Sequence, residues 1–415
     1  MQPEIEEAMK LRRPNSKIFM LVFLGLLSAF GPFVMDMYLP TLPEMTEYFG
    51  TSSSMVQLGL TTSMLGLAFG QLIFGPLSDR YGRRKPLIIA MSLFLVATAG
   101  CIFATNISQF VAMRLVQGIA GSGGVVLSRS IASDKYSAME LAMMLGIIGS
   151  INGIATVAAP IAGGLTAGIG GWKGIFLCLM LLGAVLLAGS IRMKESLSGS
   201  KMKKNGKEAF LGGFRDVLRN RRFVLYIMQY GFTMAVLFTN VASAPFIMQE
   251  HYGISPMMFS LVFAVNAIAM AIATALAPRF RSMEKALGTG SDCMLLVSIL
   301  LCGALLLGCN FWIYEILLFL LLSMTGMSFT ASNALAMESE HGNAGIASAL
   351  LGTAGYAFGG IVPPLVGLGE MMSTTGIMFI LFSALAFGCT RLAVSGKNSW
   401  IFRHFFNRYQ YKETV

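Results

Sequence analysis

The sequence predicts an all-α membrane protein of twelve transmembrane helices arranged as two six-helix bundles, with both termini on the cytoplasmic side. Three observations predict it. Of 415 residues, 55% fall in the AVILMFWYC set and 12% are charged, with a mean hydropathy of +0.70, far from the balance of an ordinary soluble domain. Apolar runs of about 20 residues, enough for a helix to cross a bilayer, recur twelve times along the chain. Lys and Arg then fall almost wholly on one side of the alternation those runs create.

The first run, 18–40, follows the charged segment "EIEEAMKLRRPNSK" and has no small-residue cleavage site with a soluble domain behind it. It therefore reads as a span and not as a removable signal peptide. Runs two and three, 54–75 and 87–105, flank the basic stretch "GPLSDRYGRRK" at 75–85. Run four, 108–129, encloses Arg114, and runs five and six cover 141–168 and 172–191. The stretch from 192 to 222 is long, polar, Gly/Ser-containing and strongly basic, and reads as a cytoplasmic linker. Six more runs follow at 223–249, 257–277, 288–309, 311–333, 344–368 and 371–393. The expected organisation is a bundle over 1–191, the linker over 192–222, a second bundle over 223–394 and a cytoplasmic tail over 395–415. The aromatic and basic tail "SWIFRHFFNRYQYK" is expected on the cytoplasmic leaflet.

With the N-terminus inside, 28 of the 30 basic residues lie on the cytoplasmic side; Lys173 falls outside and Arg114 within a span. The net charge of +10 is thus a topological signature and needs no nucleic-acid partner. Cys101, Cys178, Cys293, Cys302, Cys309 and Cys389 all fall in predicted spans without CxxC spacing, so they read as packing residues. His251, His341 and His404 are scattered over three loops, which argues against a metal site or a histidine relay. No cofactor is expected.

The halves look related. "YFGTSSSM" at 48–55 resembles "HYGISPMM" at 251–258, and "GPLSDR" at 75–80 falls where "APRFRS" at 277–282 ends the eighth run. Parallel repeats of this kind are one transporter architecture, with the substrate site at the midplane between them. The same shift carries Asp36 to Thr239 or Asn240, so the intramembrane acid belongs to the first half alone. Glycines at small-xxx-small spacing, as in "GSGG" and "APIAGG", suit close helix packing.

In "GPLSDRYGRRK", Gly75 and Gly82 permit a tight turn and close backbone approach, Asp79 supplies an anion at a helix end, and Arg80, Arg83 and Arg84 can reach carboxylates or headgroups. A plain positive-inside loop would also look like this. The full G-xxx-D-R-x-G-R-R spacing between the second and third spans resembles the signature of the major facilitator superfamily, which implies a latch on the cytoplasmic gate. "RLVQGIAG" at 114–121 is similar to that superfamily's span-four pattern, with Arg114 and Gly118 in place. Gly146, Pro160, Gly163 and Gly164 meet the span-five helix-packing pattern of drug:proton antiporters, whereas Ala155 and Ala159 stand where that pattern usually has glycine. "DMYLPTLP", "RNRRFVLYIMQYGF", "SAPFIMQEHYGISPMMFS" and "GNAGIASALLG" look like the Bcr/CflA-type, bicyclomycin/chloramphenicol-resistance-like subgroup. The resemblance implies the major facilitator fold. It also implies a monomeric exporter of the bacterial inner membrane that exchanges small hydrophobic drugs for entering protons by alternating access.

The residues offer parts for such a cycle. Asp36 is the only charge between Lys17 and Glu44. An ionised Asp at a span centre costs about 2.5–3.5 kcal/mol on insertion scales, and such residues usually face a cavity on a proton or substrate pathway. The alternatives are an interfacial Asp36 at the outer headgroups and an Asp36 lining the cleft, where desolvation raises a carboxyl pKa and suits proton loading and release. Arg114 is always charged and reads as buried; it either pairs with Asp36 or hydrogen-bonds backbone carbonyls that break when Asp36 changes charge. Glu315 and Asp292 read as interfacial. Phe33, Tyr38, Gln117, Asn152, Asn240, Phe246 and Asn266 are the aromatic and amide candidates for a pocket, each with structural packing as the plainer reading. A proton symporter importing a nutrient is the alternative function, and an intramembrane enzyme is disfavoured because no HExxH, GxSxG or GxxxxGK occurs in a suitable context.

Overall fold

A computed structural model describes residues 16–136, 138–197, 217–340 and 344–395. Most of the predicted linker (198–216) and the aromatic tail (396–415) lie outside the described residues. Every regular element among the described residues is helical. In chain order these are α1 (Lys17–Asp36), a 3₁₀ turn (Leu39–Thr41), α2 (Leu42–Phe49), α3 (Ser53–Tyr81), α4 (Arg84–Ile102), α5 (Ile107–Lys135) and α6 (Ala138–Arg192). They continue with α7 (Arg221–Phe246), a π turn (Ile247–His251), α8 (Pro256–Leu276), a 3₁₀ turn (Ala277–Arg279), α9 (Met283–Leu306), α10 (Phe311–Ser339), α11 (Ala344–Val366) and α12 (Met371–Ser395). Ten helical segments are long and apolar enough to cross a membrane, and Leu350–Val366 is a shorter apolar helix.

Local chemistry explains where many helices start and stop. The side chains of Ser16, Ser52, Asn106, Ser282 and Asn310 each accept a hydrogen bond from the backbone N–H three residues on, satisfying one of the free donors at a helix start. α6 runs for 55 residues and is broken only at Gly171, whose φ of 56° a side chain would strain. The predicted runs 141–168 and 172–191 lie on its two sides.

The described residues of 1–206 together with Pro245–Val265 form one compact unit, and those of 207–244 and 266–415 form another. In the first, the main pairings are α3 on α5, α4 on α5 and α1 on α6; in the second, α9 packs on α10 and α12. Small residues bring the backbones together. Thr62 Oγ1 of α3 donates to the Val111 carbonyl of α5 at 3.1 Å, and Thr274 Oγ1 of α8 donates to the Gly326 carbonyl of α10 at 3.0 Å. Such interhelical bonds and close contacts hold helices together where lipid removes the hydrophobic drive. Leu177, Leu181 and Val185 form an exposed apolar stripe at four-residue spacing on α6, as do Ile377, Leu381 and Leu385 on α12. Stripes of that kind suit acyl chains and would be liabilities in water.

Two expectations change. "GPLSDRY" is not a loop: it forms the last two turns of α3, with Pro76 inside the helix, so that only Gly82 and Arg83 separate α3 from α4. Gly75 accordingly makes no turn, and a Cβ there would meet nothing within 4 Å. The sharp turn falls at Gly82, with φ 86° and ψ 168°.

Candidate functional site

α5 places Arg114 two turns inside the first unit, fully buried. Its Nη1 donates to Gln117 Oε1 at 2.6 Å, its Nη2 to the Val34 carbonyl at 3.1 Å and its Nε to the Gly59 carbonyl at 3.4 Å. The guanidinium stacks 4.3 Å from the Tyr38 ring centre and 5.8 Å from that of Phe176. Gln117 is fully buried too; its Nε2 donates to Thr98 Oγ1 at 2.8 Å, which in turn donates to the Phe94 carbonyl. Gln117 thus orients Arg114 instead of presenting an amide to a pocket.

The Val34 carbonyl belongs to the last turn of α1, where the ladder runs out of amide donors. Arg114 supplies one, and its charge favours the negative end of that helix. Asp36 follows two residues later and is half-buried. Among the described residues no ion pair joins Asp36 to Arg114; of the two arrangements the sequence left open, the structure has the guanidinium on backbone carbonyls.

α6 closes the other side of this helix end. A Cβ on Gly163 would collide with the Met37 carbonyl, so the α1 terminus sits directly on the α6 backbone. Pro160 and Ala159 are buried in the same stretch, Gly164 faces Ser260 Oγ and the Pro256 carbonyl, and one turn beyond Asn152 the buried Ala155 fits where the antiporter pattern has glycine. Gly118 meets the Ser63 carbonyl of α3 in the same way. Gly146 belongs to α6, but its surroundings lie outside the described residues. Asn152 is half-buried and donates to the Ser28 carbonyl of α1 at 2.8 Å, two turns before Asp36. Phe33 is half-buried on α1 and Tyr38 fully buried.

Aromatic rings wall this region. Trp172 lies 6.0 Å from Phe176 and 5.9 Å from Phe110, and Phe176 lies 5.9 Å from Tyr38. Phe246 is buried at the end of α7, in the segment that packs with the first unit, while Asn240 and Asn266 are buried in the second unit with their Oδ1 atoms unpartnered. Glu315, read from the sequence as interfacial, is half-buried; its Oε2 has no hydrogen-bond partner and its polar neighbour is Asn266. Asp292 forms an exposed ion pair with Arg391 at 2.7 Å.

At the turn between α3 and α4, Arg83 donates to Asp134 Oδ2 at 2.8 Å, to Asp79 Oδ1 at 2.6 Å and to Ser78 Oγ at 2.7 Å. The Asp134 side chain is 14% exposed and that of Asp79 51%, so the Asp134 pair is the less screened of the two. Burial alone lowers the Arg83 pKa, but the hydrogen bonds and charges of Asp134 and Asp79 outweigh it and hold the group above its ordinary value. Glu195 accepts from the backbone N–H groups of Arg83 at 2.8 Å and Arg84 at 3.1 Å, supplying the cap that α4 lacks, and its carboxylate fills the space a Cβ on Gly82 would need. Arg84 donates to the Ile191 carbonyl at 2.6 Å, and the exposed Arg80 stacks 5.4 Å from the Tyr81 ring. Asp134 and Glu195 were missed in the sequence, where they sit among the charges of ordinary loop ends.

A multi-pass helical bundle with lipid-type outer faces, a buried guanidinium on a helix end and a charge-locked turn suits a membrane transporter. Residues 22–364 match the Major Facilitator Superfamily, and the chain belongs to that family. It is 36% identical over 403 residues, 94% of this chain and 100% of the relative, to the uncharacterized MFS-type transporter YdgK of Bacillus subtilis. It is 28% identical to the bicyclomycin resistance protein homolog of Haemophilus influenzae, over 91% of this chain and 97% of the relative. It is 33% identical to the chloramphenicol resistance protein of Pseudomonas aeruginosa, over 57% of this chain and 56% of that one. These relatives support the resemblance to the Bcr/CflA-type subgroup. The fold superposes with a TM-score of 0.74 on the crystal structure of a bacterial homolog of the human lysosomal transporter Spinster, at 17% identity and covering 92% of this chain and 99% of that one.

Proposed function

We propose that the chain is a proton-coupled secondary exporter of hydrophobic drugs or small toxic compounds, a multidrug/proton antiporter working by alternating access in the bacterial inner membrane. In this reading twelve spans cross the bilayer, α6 supplying two of them, both termini are cytoplasmic and the working unit is a monomer. The observation that carries it is the α1 terminus: an acid without a counter-ion closes the helix, beside a guanidinium that is occupied by a carbonyl two residues away.

A protonated Asp36 leaves Arg114 on Val34 and Gln117. Loss of the proton creates a carboxylate that competes for the same guanidinium, because a carboxylate adds Coulombic attraction and a bidentate fork that a neutral carbonyl cannot offer. Arg114 then abandons a carbonyl at the helix end, and that end shifts against Gly163 and Tyr38. Drug binding that favours the ionised state expels the proton inward; proton entry from outside resets the helix end and releases drug. One charge falling through 100 mV yields about 2.3 kcal/mol and each pH unit about 1.36 kcal/mol, enough for one proton to hold a gradient of roughly a few hundredfold of a neutral compound. The turn locked by Arg83, Asp79 and Asp134 gates the cytoplasmic side.

The test is drug efflux by vesicles under an imposed pH gradient, with the native chain beside Asp36→Asn and Arg114→Ala. Asp36→Asn is expected to abolish gradient-driven efflux while drug binding persists. Full active efflux by Asp36→Asn would remove Asp36 from the mechanism, and uptake driven with the gradient would make the chain a symporter.

A further inference from the structure

Glu315 is the only charged residue between Asp292 and Glu338. It sits in the second turn of α10, and the side chain that faces it, Asn266, comes from the middle of α8, a helix without a single charged residue. Asn266 is only 2% exposed. No Lys, Arg or His among the described residues acts on this carboxyl, in contrast to Asp292, which has Arg391.

Two acceptors of the pair go unserved. Glu315 Oε2 and Asn266 Oδ1 are both buried and both without a partner. An ionised carboxylate offers acceptors only, and the Asn266 amide adds N–H donors on one arm and a further acceptor on the other. Buried acceptors without donors are rare because each forfeits its hydration. The Asn266 N–H arm serves the carboxyl, but Glu315 Oε2 and Asn266 Oδ1 still have no donor, and the smallest group that supplies one is a proton on Glu315, whose O–H then serves a neighbouring acceptor and removes the charge at the same time.

We propose that Glu315 and Asn266 form a second proton-binding site, located in the second unit and independent of Asp36. Glu315 carries the proton, and Asn266 is a positioning residue that holds the carboxyl and accepts or donates as its protonation changes. The site itself stands without the exporter reading. Its consequence for transport rests on that reading: with an acid in each unit, exchange against a monovalent cation can move net charge.

The experiment uses the purified full-length protein in lipid nanodiscs, treated with dicyclohexylcarbodiimide, which adds to protonated carboxyls in apolar surroundings, followed by peptide mass spectrometry across a pH series. Glu315 is expected to be labelled at neutral pH, with the yield falling at least tenfold toward alkaline pH, and to be labelled equally in Asp36→Asn. Asn266→Ala, which deletes the facing amide, is expected to shift that pH profile. Absence of an adduct at Glu315, or a yield no different from that of the exposed Asp79 at every pH, would overturn the proposal. Labelling blocked by millimolar tetraphenylphosphonium without any pH dependence would overturn it in favour of a carboxylate that binds organic cations. Because labelling is read on the native chain, it can succeed where the Asp36→Asn efflux test fails, and the two readings fall separately.

Discussion

Arg114→Lys keeps the positive charge of the buried site and removes its shape. In the native protein Nη1 serves Gln117 at 2.6 Å while Nη2 serves the Val34 carbonyl at 3.1 Å, two acceptors on opposite tines of one planar fork. A lysine ammonium is a single point on a flexible stem and cannot span both. One buried acceptor is left without a donor, which costs about 1–3 kcal/mol. Weakened stacking on Tyr38, 4.3 Å away, adds about 0.5–1 kcal/mol. The sum, about 1.5–4 kcal/mol, is comparable to the few kcal/mol that separate two transport conformations. The assay is thermal unfolding of the purified variant beside proton-driven efflux in vesicles. A clear fall in melting temperature and near-complete loss of efflux are expected, with Gln117→Leu intermediate because it leaves the Val34 bond intact. Native stability together with native efflux in Arg114→Lys would refute the claim that the fork geometry matters.

Three further outcomes follow from packing and charge. Gly163→Ala drives a methyl into the Met37 carbonyl and should cost about 1–3 kcal/mol as overpacking, lowering turnover, whereas Gly168→Ala, with open space around it, should be silent in the same efflux assay. Gly82→Ala imposes a side chain on a backbone conformation open essentially to glycine and should cost about 1–3 kcal/mol, read as a lower melting temperature. In a double-mutant cycle, Arg83→Gln with Asp134→Asn should show a coupling of about 1.5–3 kcal/mol, larger than that of Arg83 with the exposed Asp79; equal couplings would contradict the burial difference.

Much of the fold was legible because apolar length and the placement of Lys and Arg are one-dimensional signals. Asp36 and Arg114 stood out for the same reason, as charges inside long apolar runs. Their surroundings did not, since the groups that matter most, the carbonyls of Val34, Gly59 and Met37, are backbone atoms present at every position and acquire meaning only when α5 and α6 are brought against α1. The resemblance to the antiporter pattern pointed to Gly163 but not to the atom it faces. Asp134 and Glu195 escaped notice because a carboxylate near a cytoplasmic helix end looks solvated until Arg83 and the α4 terminus are seen beside it. Gly75 was misjudged because glycine's backbone freedom suggests a turn, yet α3 runs through it and Pro76. The neighbour of Glu315 was not legible either, because Asn266 comes from α8, some fifty residues away in sequence.

The ring succession from Trp172 through Phe176 to Tyr38, which ends under the Arg114 guanidinium, equips the protein with its own fluorophore. Only three tryptophans occur in the chain, and Trp312 is mostly exposed. After Trp312→Phe and Trp400→Phe, the emission of the remaining indole would follow rearrangement around the arginine in real time, without an attached dye.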